Sequence, residues 1–286
     1  MPGTRCPRHA AALCALLLAA ATSTAPAVAT AQAGSQTEPG PRLSTRAQQE
    51  DFLAGARIVR VERASKGVTG TARVTLSNGT VTHEASVQTI DDSRMKYETP
   101  KGVEMNFKDS WRFNVAAYHV DRLLDLGMVP ATVERMFQGK PASFTWWVDD
   151  VLMDEEDRQR RNIEAPSRAD WDQQLSTVRL FDQLIANVDR NKGNLLIDEH
   201  WNMWMIDHSR AFRVNSRLRS PDHLTRAERS MLTRLRRLDR ESLRTAAGRH
   251  LNGEEIAALL KRRDQIVAHF DKGGPRLLFD RPPRCC

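Results

Sequence analysis

Cysteine is scarce, with four in 286 residues. Cys6 and Cys14 lie in an N-terminal leader, and Cys285 and Cys286 are the last two residues, so no disulfide framework is available to staple a fold. The terminal pair reads either as an intermolecular link in an oxidising compartment or as a frayed tail, the second being simpler. The eight histidines are scattered, with no HExxH and no clustered cysteine, which argues against a zinc site. Neither Gly-x-Ser-x-Gly nor a P-loop occurs. Beyond the leader no apolar run is long enough to span a bilayer. No nucleic-acid motif accompanies the basic charge, so nucleic acid is not an expected partner.

What is present is enough apolar sequence, 40 %, to bury one large core or two lobes. Residues 1–33 stand apart: Arg5 and Arg8 precede AALCALLLAAA, followed by Ala27-Val28-Ala29 and Ala31-Gln32-Ala33. A basic start, a short apolar centre and Ala-x-Ala sites predict a secretory signal peptide, hence an exported protein with no transmembrane segment after leader removal. The formal net charge is +7, and residues 210–286 hold 19 Arg/Lys against 9 Asp/Glu. RSMLTRLRRLDRESLRTAAGRHL alternates charge and apolar residues at helical spacing, so this excess reads as solvated helix faces.

The expected order is a linker and N-terminal helix over 34–57, a first lobe over 58–150, a second over 151–271 and a tail over 272–286. From Ile58 to Ile90 apolar and β-branched residues alternate, broken by Ser77-Asn78-Gly79, which predicts hairpins of a small antiparallel sheet. Residues 91–109 are polar and predict irregular structure. Trp111 to Leu126 reads as an amphipathic helix stopped by Gly127 and Pro130, and ATVERMF and ASFTWWVDD as strands. Ser167 to Val188 reads as a long helix capped by Ser167 or Asp170. Asn194–Ile197 and Trp204–Ile206 read as strands of a hairpin, and everything past Pro221 as helix. The class is α+β, in two lobes: a small β-rich N-lobe and a larger helical C-lobe.

The richest stretch is 181–212, FDQLIANVDRNKGNLLIDEHWNMWMIDHSRAF. Asp189 and Asn194 are five positions apart on a loop after an apolar run, and Asp207 follows 13 positions later. An aspartate that accepts a hydroxyl proton, followed by an asparagine and a second aspartate that hold Mg²⁺ or Mn²⁺, is what phosphoryl transfer from ATP requires. Arg190 or Lys192 would neutralise charge on the transferred group. A turn built of Asp, Asn and Gly is the plainer alternative. Against it stands Asp207 at the end of Trp-Met-Trp-Met-Ile, an unfavourable place for an unpaired carboxylate. Trp111, Trp146, Trp147, Trp201 and Trp204 read as packing residues.

FDQLIANVDRNKGNLLI…MWMIDHSRAF resembles the catalytic segment of atypical kinases related to the Fam20C secretory kinases, the HipA-type kinases and the phosphatidylinositol 3-/4-kinases. DSWRFNVAAYHVDRLLDLGMVPATVER resembles the N-lobe helix of bacterial members. The resemblance covers about 58–271 and implies a two-lobed protein-kinase-like fold. It implies Asp189 as catalytic aspartate, Asn194 and Asp207 as metal ligands, and Trp146 to Asp150, Trp147 and Val148 among them, near the adenine. The family pattern pairs a Lys on the third strand with a Glu on the following helix; here those positions read Gln88 and Asn114, a neutral pair that offers the phosphates no positive charge. Lys96, Lys101 or Lys108 would supply it from another direction, Lys108 being closest to the helix. Gly67-Val68-Thr69-Gly70 reads equally as a phosphate cover or an ordinary hairpin. The expected activity is transfer of the γ-phosphate of ATP to a protein hydroxyl, less readily to a lipid or small alcohol. Two alternatives remain: a pseudokinase that regulates a partner, and a nucleotidyl (AMP) transferase on the same fold.

Overall fold

The computed structural model describes residues 43–63, 71–99 and 102–281. The leader, most of the linker, the Gly67–Gly70 turn, Lys101 and the two terminal cysteines lie outside the described residues. Helix α1 (Arg46–Gly55) opens on a capping box, Thr45 and Gln48 satisfying each other's backbone N–H. Strands β1 (Arg57–Arg63), β2 (Ala72–Ser77) and β3 (Thr82–Gln88) follow. The Ser77-Asn78-Gly79 turn forms as expected: Asn78 Oδ1 accepts the N–H groups of Thr80 and Val81 at 3.0 and 2.8 Å, and Gly79 takes φ +91°.

Residues 91–109 are not irregular. They form the long hairpin β4 (Asp91–Thr99) and β5 (Gly102–Ser110), in continuous antiparallel register from Asp91↔Ser110 to Thr99↔Gly102. The alternation that marks a strand is missing because most of the hairpin's side chains face solvent. It is held instead by its ladder and by docking on the C-terminal part.

Helix α2 (Arg112–Leu124) buries Phe113, Ala116, Ala117, Val120 and Leu124. Its exit is built by Asp121, whose carboxylate accepts the N–H groups of Gly127, Met128 and Val129. Strands β6 (Thr132–Phe137) and β7 (Lys140–Trp146) complete a five-stranded antiparallel sheet in the order β1-β2-β3-β7-β6. Strand alternation gives this sheet two unlike faces. Val74, Leu76, Ala85, Val87, Ala142 and Phe144 point into the core with Phe52 and Leu53 of α1. The opposite face carries Arg73, Glu84, Ser86, Gln88, Ser143 and Thr145.

Past residue 150 the chain turns helical. Strand β8 (Val151–Asp154) and helix α3 (Glu155–Arg160) lead to α4 (Arg168–Ile185), capped by Ser167 Oγ and ended by Ala186 at φ +48°. Strands β9 (Leu195–Asp198) and β10 (Met203–Met205) form the expected hairpin, with β8 on the far side of β9. Past Pro221 the chain is not all helix: a 3₁₀ turn and the short strand β11 (Ala227–Glu228) precede α5 (Arg229–Arg237), α6 (Arg240–Ala247) and α7 (Gly253–Gly273). Residues 275–281 are no loose tail either, since β12 (Leu278–Phe279) pairs with β11 and Arg281 reaches both Glu228 and the carbonyl of Leu126. Among the described residues no helix is long and apolar enough to cross a membrane.

Candidate active site

The β9–β10 hairpin does for Asp207 what its spacing promised. Leu195 pairs with Met205, and one step further the Ile206 N–H donates to the Asn194 carbonyl at 3.1 Å. Asp207 therefore begins beside the loop that carries Asp189. Its backbone adopts φ +54°, a left-handed conformation unusual for a non-glycine residue and held here from several sides. Ser209 Oγ donates to Asp207 Oδ1 at 3.1 Å, and Gln88 Nε2 lies 3.5 Å from the same oxygen. Asn194 closes a 3₁₀ turn whose geometry is fixed by its N–H on Asn191 Oδ1. Asp189 is half-exposed, its N–H donated to Asn187 Oδ1 at 3.1 Å and its Oδ1 3.8 Å from Arg210 Nη1.

Gln88 and Asn114 meet as a pair. Asn114 Nδ2 donates to Gln88 Oε1 at 2.7 Å and lies 3.3 Å from Ser143 Oγ, while Asn114 Oδ1 accepts the His208 N–H at 2.7 Å. One buried amide thus ties α2 to β3, to β7 and to the residue after Asp207. An asparagine suits this position because it offers donor and acceptor at once, which a glutamate does not.

Arg190, expected as a charge neutraliser, is turned the other way. Its guanidinium grips Asp182, donates to the carbonyls of Asn194 and Ile206 at 3.0 and 2.8 Å, and lies 2.9 Å from His208 Nε2. It clamps the two strand ends that carry Asn194 and Asp207, and no donor points at a transferred group. Lys192 binds Gln159 Oε1 on α3. Lys108 is pinned to Glu255 at the start of α7, 2.6 Å away, and Lys96 to Glu98 on the hairpin. Each of these cations has a local carboxylate or amide to satisfy, so none replaces the missing strand lysine. His208 is buried, and desolvation with Arg190 beside it holds its imidazole well below the ordinary value, hence neutral.

The residue that sequence reading missed is Asp109. The end of β5 delivers it, buried, with Oδ1 lacking any hydrogen-bond partner. Burial pushes its carboxyl up; Ser209 hydrogen-bonds it, and the charges of Asp207 and Asp189 raise it further. Ser209 thus links Asp109 to Asp207, and Arg210 already offsets part of their charge. The partnerless Asp109 Oδ1 fits a further cation. Asp109, Asp207 and the Asn194 amide are hard oxygen donors of the kind Mg²⁺ and Mn²⁺ take. Among the described residues no three His, Cys, Asp or Glu side chains gather as a metal site, so nucleotide phosphates would have to fill the remaining positions.

No protein-family model and no curated protein matches the chain. Solved structures do. The hydra Fam20 structure with sugar superposes with a TM-score of 0.60 at 17 % identity, over 82 % of this chain and 92 % of that one. The Golgi casein kinase with Mn and ADP bound gives 0.57 at 13 %, over 84 % and 80 %. This chain has the fold of the Fam20 kinases. At such identities the likeness is one of fold, and within the Fam20-like fold the residues must speak for themselves. The connector between the lobes runs from Trp146 to Asp150, with Val148 buried, the Trp147 N–H on the Glu84 carbonyl at 3.2 Å, and the Arg73 guanidinium 4.3 Å above the Trp147 ring. It lies at the opposite end of β3 from Gln88, which is where the sequence reading put the adenine contacts.

Proposed function

We propose that this chain is an exported kinase that transfers the γ-phosphate of ATP to a hydroxyl, foremost that of a protein, with Mg²⁺ or Mn²⁺. The observation that carries this reading is the return of Asp207 to the Asp189 loop through the Asn194–Ile206 bond, with Asp109 brought to the same point from the other lobe. The fold of the Fam20 kinases supports it, as do the Mn and ADP of the Golgi casein kinase. The Arg-bearing leader with its Ala-x-Ala sites supports export.

Asp189 accepts the acceptor's hydroxyl proton, and Arg210 holds its carboxylate in place. Asp207, Asn194 and Asp109 would hold the metal, which supplies the positive charge that neutralises the phosphates. Gln88 and Ser209 fix the rotamer of Asp207 from two sides. Arg190 keeps the two strand ends at a constant separation. The neutral Gln88–Asn114 pair favours a second reading, a nucleotide-binding scaffold that regulates a partner.

The test is transfer from γ-labelled ATP by the full chain with Mn²⁺ or Mg²⁺ and an acidic protein acceptor, beside Asp207→Ala and Asp189→Asn. Kinase activity predicts incorporation lost in both variants. Metal-dependent ATP binding without incorporation supports the scaffold, and label appearing from the adenosine instead indicates AMP transfer. Fractionation of cells expressing the chain with a C-terminal tag tests export, which predicts a product shortened near residue 33 outside the cytoplasm.

A further inference from the structure

The face of the five-stranded sheet that looks toward Asp207 is polar throughout its middle. Gln88 marks one end, where its amide approaches Asp207 and Thr71 Oγ1. Trp147 marks the other, at the start of the connector. Between them the registers Arg73↔Ser86 and Ser86↔Thr145 place a guanidinium and two hydroxyls side by side, with Glu84 one step outward. Two residues along a strand are about 7 Å, so this trio lies one nucleoside length from the Gln88 end. A planar base bound between the lobes, with its phosphates at Asp207, would lie beneath it.

Arg73 is the side chain that can cover a base. Its guanidinium already stacks on Trp147 at 4.3 Å and is held by Glu84, and its Nε–H is buried with no acceptor among the described residues. An aliphatic roof rewards ring area and so favours purines. A guanidinium plane works on the π-face that every base has. Resting on the nucleotide reading above, we infer that the base subsite is roofed by the Arg73 guanidinium, backed by Trp147, and that nucleotide binding is consequently tolerant of the base. Arg73 is then a specificity-determining residue: it recognises the ring as a ring, and leaves its identity unread.

The experiment measures the affinity of the full chain for ATP, GTP, CTP and UTP with Mn²⁺, by calorimetry or by quenching of tryptophan emission. The wild type is expected to bind all four within about fivefold of one another, since base–cation stacking is sequence-tolerant. Arg73→Leu is expected to open a purine preference of about tenfold or more by exposing the ring to hydrocarbon alone. Arg73→Lys keeps a charge beside Glu84 without the plane, and is expected to weaken all four about equally. A wild type that discriminates ATP from CTP and UTP by more than about thirtyfold, or an Arg73→Leu variant with unchanged rank and ratios, overturns the inference. Failure of all four to bind with Mn²⁺ has a different signature: it overturns the nucleotide reading itself, and this inference with it.

Discussion

At the scale of single residues, two side chains decide most. Asp109 carries a carboxyl raised by burial and by the neighbouring Asp207 and Asp189. Removing its charge relieves that crowding, so Asp109→Asn is expected to melt at the same or a higher temperature without metal. A rise in Tm with Mn²⁺ is expected in the wild type and should shrink in the variant. Phosphoryl transfer should fall on the order of 100-fold, about 2.7 kcal/mol, as for loss of a charge that stabilises the reacting phosphate. Paired melting curves with and without Mn²⁺ separate these effects. Asn114 acts by holding others. Asn114→Ala strands the His208 N–H and the Gln88 Oε1 in a buried place, so urea unfolding should show a loss of about 1–3 kcal/mol.

At the scale of elements, the β4–β5 hairpin joins the lobes on the side of Asp189 and Asp207. Glu104 takes Arg210 and Arg213 together, and both guanidiniums lie over the Phe107 ring. The same Arg210 reaches Asp189, so the hairpin restrains the Asp189 loop through one arginine. Glu104→Ala is expected to raise amide exchange across both hairpin strands and residues 207–215 while leaving β9 and β10 protected, which hydrogen-exchange mass spectrometry reads directly. This element also measures how far the sequence could be read. The β9–β10 hairpin was legible because its strands are short, apolar and centred on a turn, and the approach of Asn194 to the residue before Asp207 came with it. The Gln88–Asn114 pairing was legible only through the family resemblance, whose strand-Lys and helix-Glu positions these two residues take. The β4–β5 hairpin was not, because a strand pair with solvent on most of its surface has no hydrophobic period to display. Asp109 went unseen with it, since its partners lie about a hundred positions later in the chain. The inward turn of Arg190 was equally hidden: the clamp depends on Asp182 and His208 meeting in space, and nothing in DRNKGN announces that.

At the scale of the whole molecule, α2 is also held from behind, where it meets α6. His119 on α2 and His250 beyond α6 face each other with rings 6.1 Å apart. Glu134 and Arg249 face His250, with Arg112 near; Glu50 and Arg122 face His119. Burial lowers both imidazoles below their ordinary 6.5, and His119 is lowered further by His250. The unfolded chain therefore takes up protons near pH 6.5 that the folded chain refuses. The stability these groups allow is intact above pH 6.5 and is lost as the pH falls below it toward their depressed folded values. Melting temperatures at pH 7.5 and 5.5 should differ in the wild type, and the difference should narrow in His119→Gln. The contact at the other side of α2 behaves differently. Where an ion pair would hold the helix against the sheet, its grip would weaken in brine as counter-ions gathered round it. Two amides have no charge to screen and no proton to give up. The helix behind the Asp207 loop is thus seated by a bond whose strength does not follow the salinity of the surroundings.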